Sequence, residues 1–152
     1  MHKLLLHPAE PGRLYQQNHV GTYTSADRGE SWRAIHEGLP SDFGFGLALD
    51  ANNPKACFVV PLQPEGYAYR ATLGRMRVYR WDGRWTAQDA GLPRDAYLSV
   101  LREGMSYDTL KPGGVYVGTG TGQIYASRDG GRRWSAIAEY LPPVLSLSAA
   151  IV

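Results

Sequence analysis

The chain of 152 residues holds a single cysteine, Cys57, which excludes an internal disulfide and a thiolate-built metal cluster. Its place in the apolar run "ACFVV" predicts a small buried hydrophobe and not a reactive thiol. An excess of one charge is missing as well. Sixteen Lys and Arg against fourteen Asp and Glu leave a net charge of +2, so no overall field points to nucleic acid or to an anionic membrane as partner. The longest apolar run near the start is the leucines of "MHKLLLHP", too short for a signal-peptide core or a membrane span. The sequence as written therefore reads as a soluble, cytoplasmic chain. Four histidines, His2, His7, His19 and His36, have neither paired nor i, i+4 spacing, and no metal or other cofactor is expected. Helical periodicity of useful length is absent throughout.

What the chain has instead is a repeat. Trp32, Trp85 and Trp134, 53 and then 49 residues apart, are each followed seven residues later by Leu-Pro, in "WRAIHEGLP", "WTAQDAGLP" and "WSAIAEYLP". A tyrosine opens the run before each tryptophan: Tyr23, Tyr79 and Tyr125. Further back in each unit lie two more short apolar runs, bounded by Gly, Pro, Asn and Asp. Each unit thus reads as four short strands. Four antiparallel strands repeating at about fifty residues predict a β-propeller blade. The expected fold is all-β, with three four-stranded antiparallel blades at about 1–40, 41–93 and 94–142. An extra C-terminal strand, 143–152, would be the inner strand of a fourth blade. Three blades leave exposed sheet faces, so the half propeller is expected to be closed by oligomerisation, most simply as a homodimer.

The stretch "SADRGESW" fits the pattern S/T-x-D-x-G-x-S/T-W through Ser25, Asp27, Gly29, Ser31 and Trp32. On these residues the chain resembles the Asp-box, or BNR-repeat, β-propellers, which include sialidases, some glucan hydrolases and sortilin-type receptors. A second copy, "SRDGGRRW", keeps Ser127, Asp129, Gly131 and Trp134 but has Arg133 at the hydroxyl position. The middle unit has three residues fewer between its tyrosine and tryptophan and carries "RWDGR", whose Asp82-Gly83 predicts a two-residue hairpin turn. A box that can be exchanged for Asp-Gly is a hairpin device, so the box residues are expected to be structural. The resemblance also implies that the boxes lie on the face away from a binding or catalytic centre.

A function is then expected on the opposite loops. Only one is enlarged, the insertion "PLQPEGYAYRATLGR" at about 61–75. Its Tyr67, Tyr69, Arg70 and Arg75 supply stacking surfaces and cationic forks suited to carboxylated sugars, phosphates or protein partners. The arginine-rich run "RATLGRMRVYRWDGR" is not read as a nucleic-acid surface. Strand alternation puts Arg75, Arg77, Tyr79 and Trp81 on one face and Met76, Val78 and Arg80 on the other. A sialidase-like reaction would need an arginine triad, a Tyr/Glu pair and an acid, and Glu65, Tyr67 and Arg70 form the only cluster resembling part of it. A glucan hydrolase would need two carboxylates across a cleft, and Asp42 and Asp95 share one repeat position. No catalytic residue is assigned. The expected function is a non-catalytic propeller module that binds a glycan or a protein. A glycoside hydrolase or its remnant, and an assembly or scaffold protein, are the alternatives.

Overall fold

The computed structural model describes residues 1–64 and 69–152. Among the described residues, thirteen strands account for the regular structure, with one 3-10 turn at Thr72–Gly74. They form three antiparallel sheets, each in chain order from the inside out. The first holds β1 (Lys3–His7), β2 (Glu10–Asn18), β3 (Gly21–Ser25) and β4 (Arg33–Ala34). The second holds β5 (Gly44–Leu49), β6 (Cys57–Gln63), β8 (Val78–Trp81) and β9 (Trp85–Gln88), with the short β7 (Arg70–Ala71) added on β6. The third holds β10 (Met105–Tyr107), β11 (Val115–Gly118), β12 (Ile124–Ser127) and β13 (Ser135–Ala138). These are three β-propeller blades standing side by side, and the array is open. Among the described residues no helix is long and apolar enough to cross a membrane.

Register carries the repeat. Tyr23 lies opposite Ala34, Tyr79 opposite Ala87 and Tyr125 opposite Ala136, so in each blade the tyrosine faces the alanine two residues past the tryptophan. The middle blade keeps this pairing with a shorter turn. That turn has three residues and not the expected two, because Trp81 pairs with Trp85 and leaves Asp82, Gly83 and Arg84 in the loop. The pairing sets the two indoles 5.3 Å apart on one face. Gly83 takes φ 103°, which a residue with a Cβ rarely adopts.

Two apolar layers hold the blades together. Tyr15 and Ile35 of the first blade meet Leu47, Leu49, Cys57 and Val59 of the second. Phe58, Val60, Leu62, Met76 and Val78 of the second meet Met105, Val115, Val117, Tyr125 and Trp134 of the third. Successive residues of β6 thus point into different layers, and Cys57 through Leu62 are all buried. A strand covered on both faces reads as a continuous apolar run, which is what "CFVVPL" is. Burial also pushes the Cys57 thiol above its ordinary pKa.

The alternation expected around β8 holds, and the arginines there are neutralised. Met76 and Val78 enter the layer toward the third blade, while Tyr79 and Trp81 pack on the other. Arg77 lies 3.0 Å from Asp89, and Arg80 lies 3.0 Å from Asp50 and is also paired with Asp82.

The C-terminal segment is not a strand. Val144 donates to the Thr119 carbonyl, Leu147 to the Glu103 carbonyl and Ala149 to the Ser106 hydroxyl, and a single parallel bridge joins Ser146 to Glu103. The segment lies on the outward face of the third sheet, where Val144 closes over Gly118.

The tryptophans show what a neighbouring blade supplies. Trp134 is 4% exposed against the second blade, and its backbone N–H donates to the Ala90 carbonyl at 2.9 Å. The indole N–H of Trp85 donates to the Ile35 carbonyl of the first blade. Trp32, in the first blade, is not packed in this way and is 37% exposed. Trp134→Ala should therefore cost about 3–5 kcal/mol, the usual loss on emptying a buried aromatic site. Trp32→Ala should cost clearly less, and denaturant unfolding of the two variants compares them. Equal losses would contradict this account of the layers.

Candidate binding site

The two eight-residue turns sit at one end of the sheets. In the first, the Ser25 hydroxyl accepts from the Gly29 N–H at 2.9 Å and donates to the Asp27 carboxylate at 2.7 Å. That carboxylate accepts the Ser31 N–H at 3.0 Å and the Ser31 hydroxyl at 2.5 Å. In the third blade Ser127 accepts from Gly131 and donates to Asp129, both at 2.8 Å. Asp129 accepts the N–H groups of Arg132 and Arg133 at 2.9 Å, so the backbone of Arg133 takes the place of that of Ser31 and only the hydroxyl bond is lost. Arg28-Gly29 and Gly130-Gly131 take positive φ at matching places, and a Cβ on Gly131 would come within 2.6 Å of the Phe58 ring. Every polar atom of the Asp27 carboxylate is thus spent on its own turn.

The other end gathers the starts of the inner strands. His2 precedes β1, Phe43 and Phe45 stand at the start of β5, and Arg102 precedes β10. His19 joins them from the loop between β2 and β3, and Tyr69 from the insertion. Tyr69 stacks on Phe43 at 5.2 Å and 12° and meets Phe45 edge-on at 4.9 Å, while remaining 38% exposed. His2 packs on Phe45 at 4.6 Å and, edge-on, on His19 at 4.2 Å. The Arg102 guanidinium lies 4.9 Å from the Phe45 ring centre. Burial holds the His2 pKa below the ordinary imidazole value. The hydrogen bond to the Gly44 carbonyl opposes this shift, and the neighbouring His19 and Arg102 add to it.

The four insertion residues expected to act together do not converge. Tyr69 belongs to the aromatic cluster, whereas Arg70 lies 5.8 Å from the Tyr97 ring. Arg75 points to a rim cavity of about 570 Å³, where it faces Asp95 at 3.9 Å. Tyr67 and Glu65 lie outside the described residues, so the Glu65, Tyr67, Arg70 cluster does too. The insertion is also shorter than expected. Pro61–Gln63 continue β6, and Arg70–Ala71 pair back on Leu62 and Gln63, because the apolar residues there enter the core. Asp42 and Asp95 do not meet: Asp42 is exposed, and the cavity that Asp95 lines does not include it. Conversely, spacing in the sequence does not pair His2 with His19, since antiparallel pairing of β1 and β2 is what brings them together. Among the described residues no three His, Cys, Asp or Glu side chains gather as a metal site.

No protein-family model matches the chain, and no curated protein matches it. Solved structures do. The shared architecture is that of β-propeller enzymes of the GH74 group. A GH74 enzyme of Niastella koreensis superposes with a TM-score of 0.61 and 18% identity, over 88% of this chain and 17% of its own. The GH74 xyloglucanase of Xanthomonas campestris gives 0.64 and 22%, over 87% and 20%. An ancestral GH74 enzyme gives 0.61 and 15%, over 88% and 19%. The likeness is one of fold, and the chain spans about a fifth of the length of those structures.

Two measurements follow from this geometry. Ser127→Ala leaves the buried Gly131 N–H without an acceptor and should cost about 1–3 kcal/mol in denaturant unfolding.

A pH series should show two acid limbs. The Ser31 hydroxyl and N–H, with the Ser25 hydroxyl, hold the Asp27 carboxyl at about 2, below its ordinary 3.8. Its contribution is complete above about pH 4 and is lost as pH falls toward 2. His2, with its pKa lowered from 6.5, takes a proton more readily in the unfolded chain, so stability should also begin to fall below about pH 6.5. Melting temperature against pH checks both signs: Asp27→Asn should shrink the lower limb, to which Asp108 and Asp129, whose pKa values are also lowered, contribute as well, and His2→Gln should remove the upper.

Proposed function

We propose that the chain is a non-catalytic propeller module whose binding face is the end bearing the insertion, with a glycan or a protein as partner. The observation that carries this reading is the half-open Tyr69 ring, stacked on Phe43 and flanked by Phe45, His2, His19 and Arg102. An aromatic plane fixed by packing, with polar groups at its edge, suits a sugar ring or a side chain of a partner. The two turns at the opposite end serve as structural Asp-boxes, supported by the middle blade, which keeps its register without one. The hydrolase alternative lacks this support: Asp95 is engaged by Arg75, and Asp42 lines no cavity with it.

An assembly role has its own observation. Trp32 is 37% exposed where Trp134 is 4%, and Leu6, Ile137 and Leu145 are exposed on the end blades. A homodimer closing a six-bladed ring would cover these faces.

Screening the protein on a glycan array and for hydrolysis tests the first reading. Arg70→Ala should weaken binding while costing under about 0.5 kcal/mol of stability. Tyr69→Ala should weaken binding at a cost of about 1 kcal/mol, the value of its aromatic contacts. Turnover of a bound glycan would contradict the non-catalytic reading. Light scattering decides the second: a stable monomer at micromolar concentration would sink ring closure by a second copy.

A further inference from the structure

We infer that the two clefts between neighbouring blades, at the end bearing the eight-residue turns, form one surface that binds an extended acidic segment of a partner protein. This surface lies opposite the proposed binding face and does not depend on that reading.

The cations gather because each blade edge adds its own. Arg13 of β2 and Arg33 of β4 line one cleft, of about 280 Å³, from the first blade, and Lys55 of the β5–β6 turn lines it from the second. Arg80 of β8 lines the next cleft, of about 770 Å³, from the second blade, and Lys111 and Arg132 line it from the third. Asp82 lines both clefts, so they adjoin across that residue.

The positive charge is uncompensated. These six cationic side chains stand against three carboxylates in the two linings, Asp50, Asp82 and Asp129, and all three are engaged. Asp50 and Asp82 pair with Arg80, and Asp129 accepts N–H groups of its own turn. Among the described residues Arg33, Lys55, Lys111 and Arg132 form no salt bridge. Arg13, whose side chain is 19% exposed, meets Glu10 only at 3.6 Å. Like charges gathered in a cleft repel one another, and an anionic partner relieves that repulsion.

The carboxylate between the clefts selects the kind of anion. A nucleic acid or polyphosphate is charged at every repeat and would bring a phosphate against Asp82 in crossing from one cleft to the next. A polypeptide carries carboxylates only where its sequence places them, with backbone N–H groups between. Asn52 donates from its side-chain amide to the Leu110 carbonyl at 2.7 Å, which leaves its oxygen to accept such an N–H in the larger cleft. Packed sheets lie about 10 Å apart and an extended chain covers that in about three residues, so acidic residues at i and i+3 reach both clefts. Clusters of basic side chains recognise acidic peptide motifs by this chemistry.

Titration calorimetry of the full chain at low salt, where screening is weak, tests this with the capped heptapeptide Ser-Glu-Glu-Ser-Glu-Glu-Ser, its glutamine counterpart and tripolyphosphate. The glutamate peptide should bind, and the glutamine peptide should bind about tenfold more weakly or less. Lys55→Gln in the first cleft and Arg132→Gln in the second are exposed changes, with folding checked by melting temperature, and each should weaken binding about threefold or more. Arg94→Gln removes the same charge from the β9–β10 loop and should leave binding unchanged. An equal loss with Arg94→Gln would overturn the site, because net charge would then account for binding. A loss with only one of the two cleft variants would overturn the single surface. Tripolyphosphate binding as tightly as the glutamate peptide would overturn the choice of a polypeptide. Failure of the glutamate peptide to bind would overturn the inference as a whole, and the effect of Tyr69→Ala on glycan-array binding decides the reading of the opposite end separately.

Discussion

A four-stranded blade has two faces, and only a neighbouring blade can cover each of them. That constraint governs the molecule. It is met twice, between the first and second blades and between the second and third, and β6 shows its full effect, with alternate residues entering each layer and none from Cys57 to Leu62 reaching solvent. At about 1.5–3 kcal/mol for each large apolar side chain removed from water, these layers outweigh any turn or ion pair among the described residues. The end blades lack the second cover. The C-terminal segment screens part of one open face, and the other leaves Trp32 half in water.

Side-by-side packing also decides where chemistry can occur. Inner strands that converge bring their first residues together, so His2, Phe43, Phe45 and Arg102 meet although 100 residues separate the first from the last. The turns at the other end satisfy themselves. Their serines and aspartates form closed rings of hydrogen bonds around a backbone in left-handed conformation, which leaves no polar atom directed at a ligand. The serines and aspartates of those turns are therefore saturated, whereas Nε2 of His2 at the other end and the indole N–H of Trp134 have no partner among the described residues.

The division between what could be read from the chain and what could not follows the range of the interactions. The hairpins were legible because their signals are local: a tyrosine, a turn rich in Gly and Asp, a tryptophan and Leu-Pro. Repetition of that unit is enough to predict three blades, and the solved GH74 structures share their fold. The insertion was legible as a length difference. Its internal arrangement was not, since Leu62 and Ala71 are drawn into the core and pull the segment back on β6, which separates Tyr69, Arg70 and Arg75.

By itself, then, the sequence determined what neighbours in the chain impose: strand, turn, register and the period of the repeat. Tertiary structure alone decided which side chains share a site. The pairing of His2 with His19 depends on the antiparallel register of β1 and β2, and the approach of Arg102 to Phe45 depends on the third blade packing against the second. Tertiary structure likewise decided that the C-terminal segment lies on the third sheet and forms no strand, because its backbone N–H groups bond singly to Thr119, Glu103 and Ser106 and not along one strand edge.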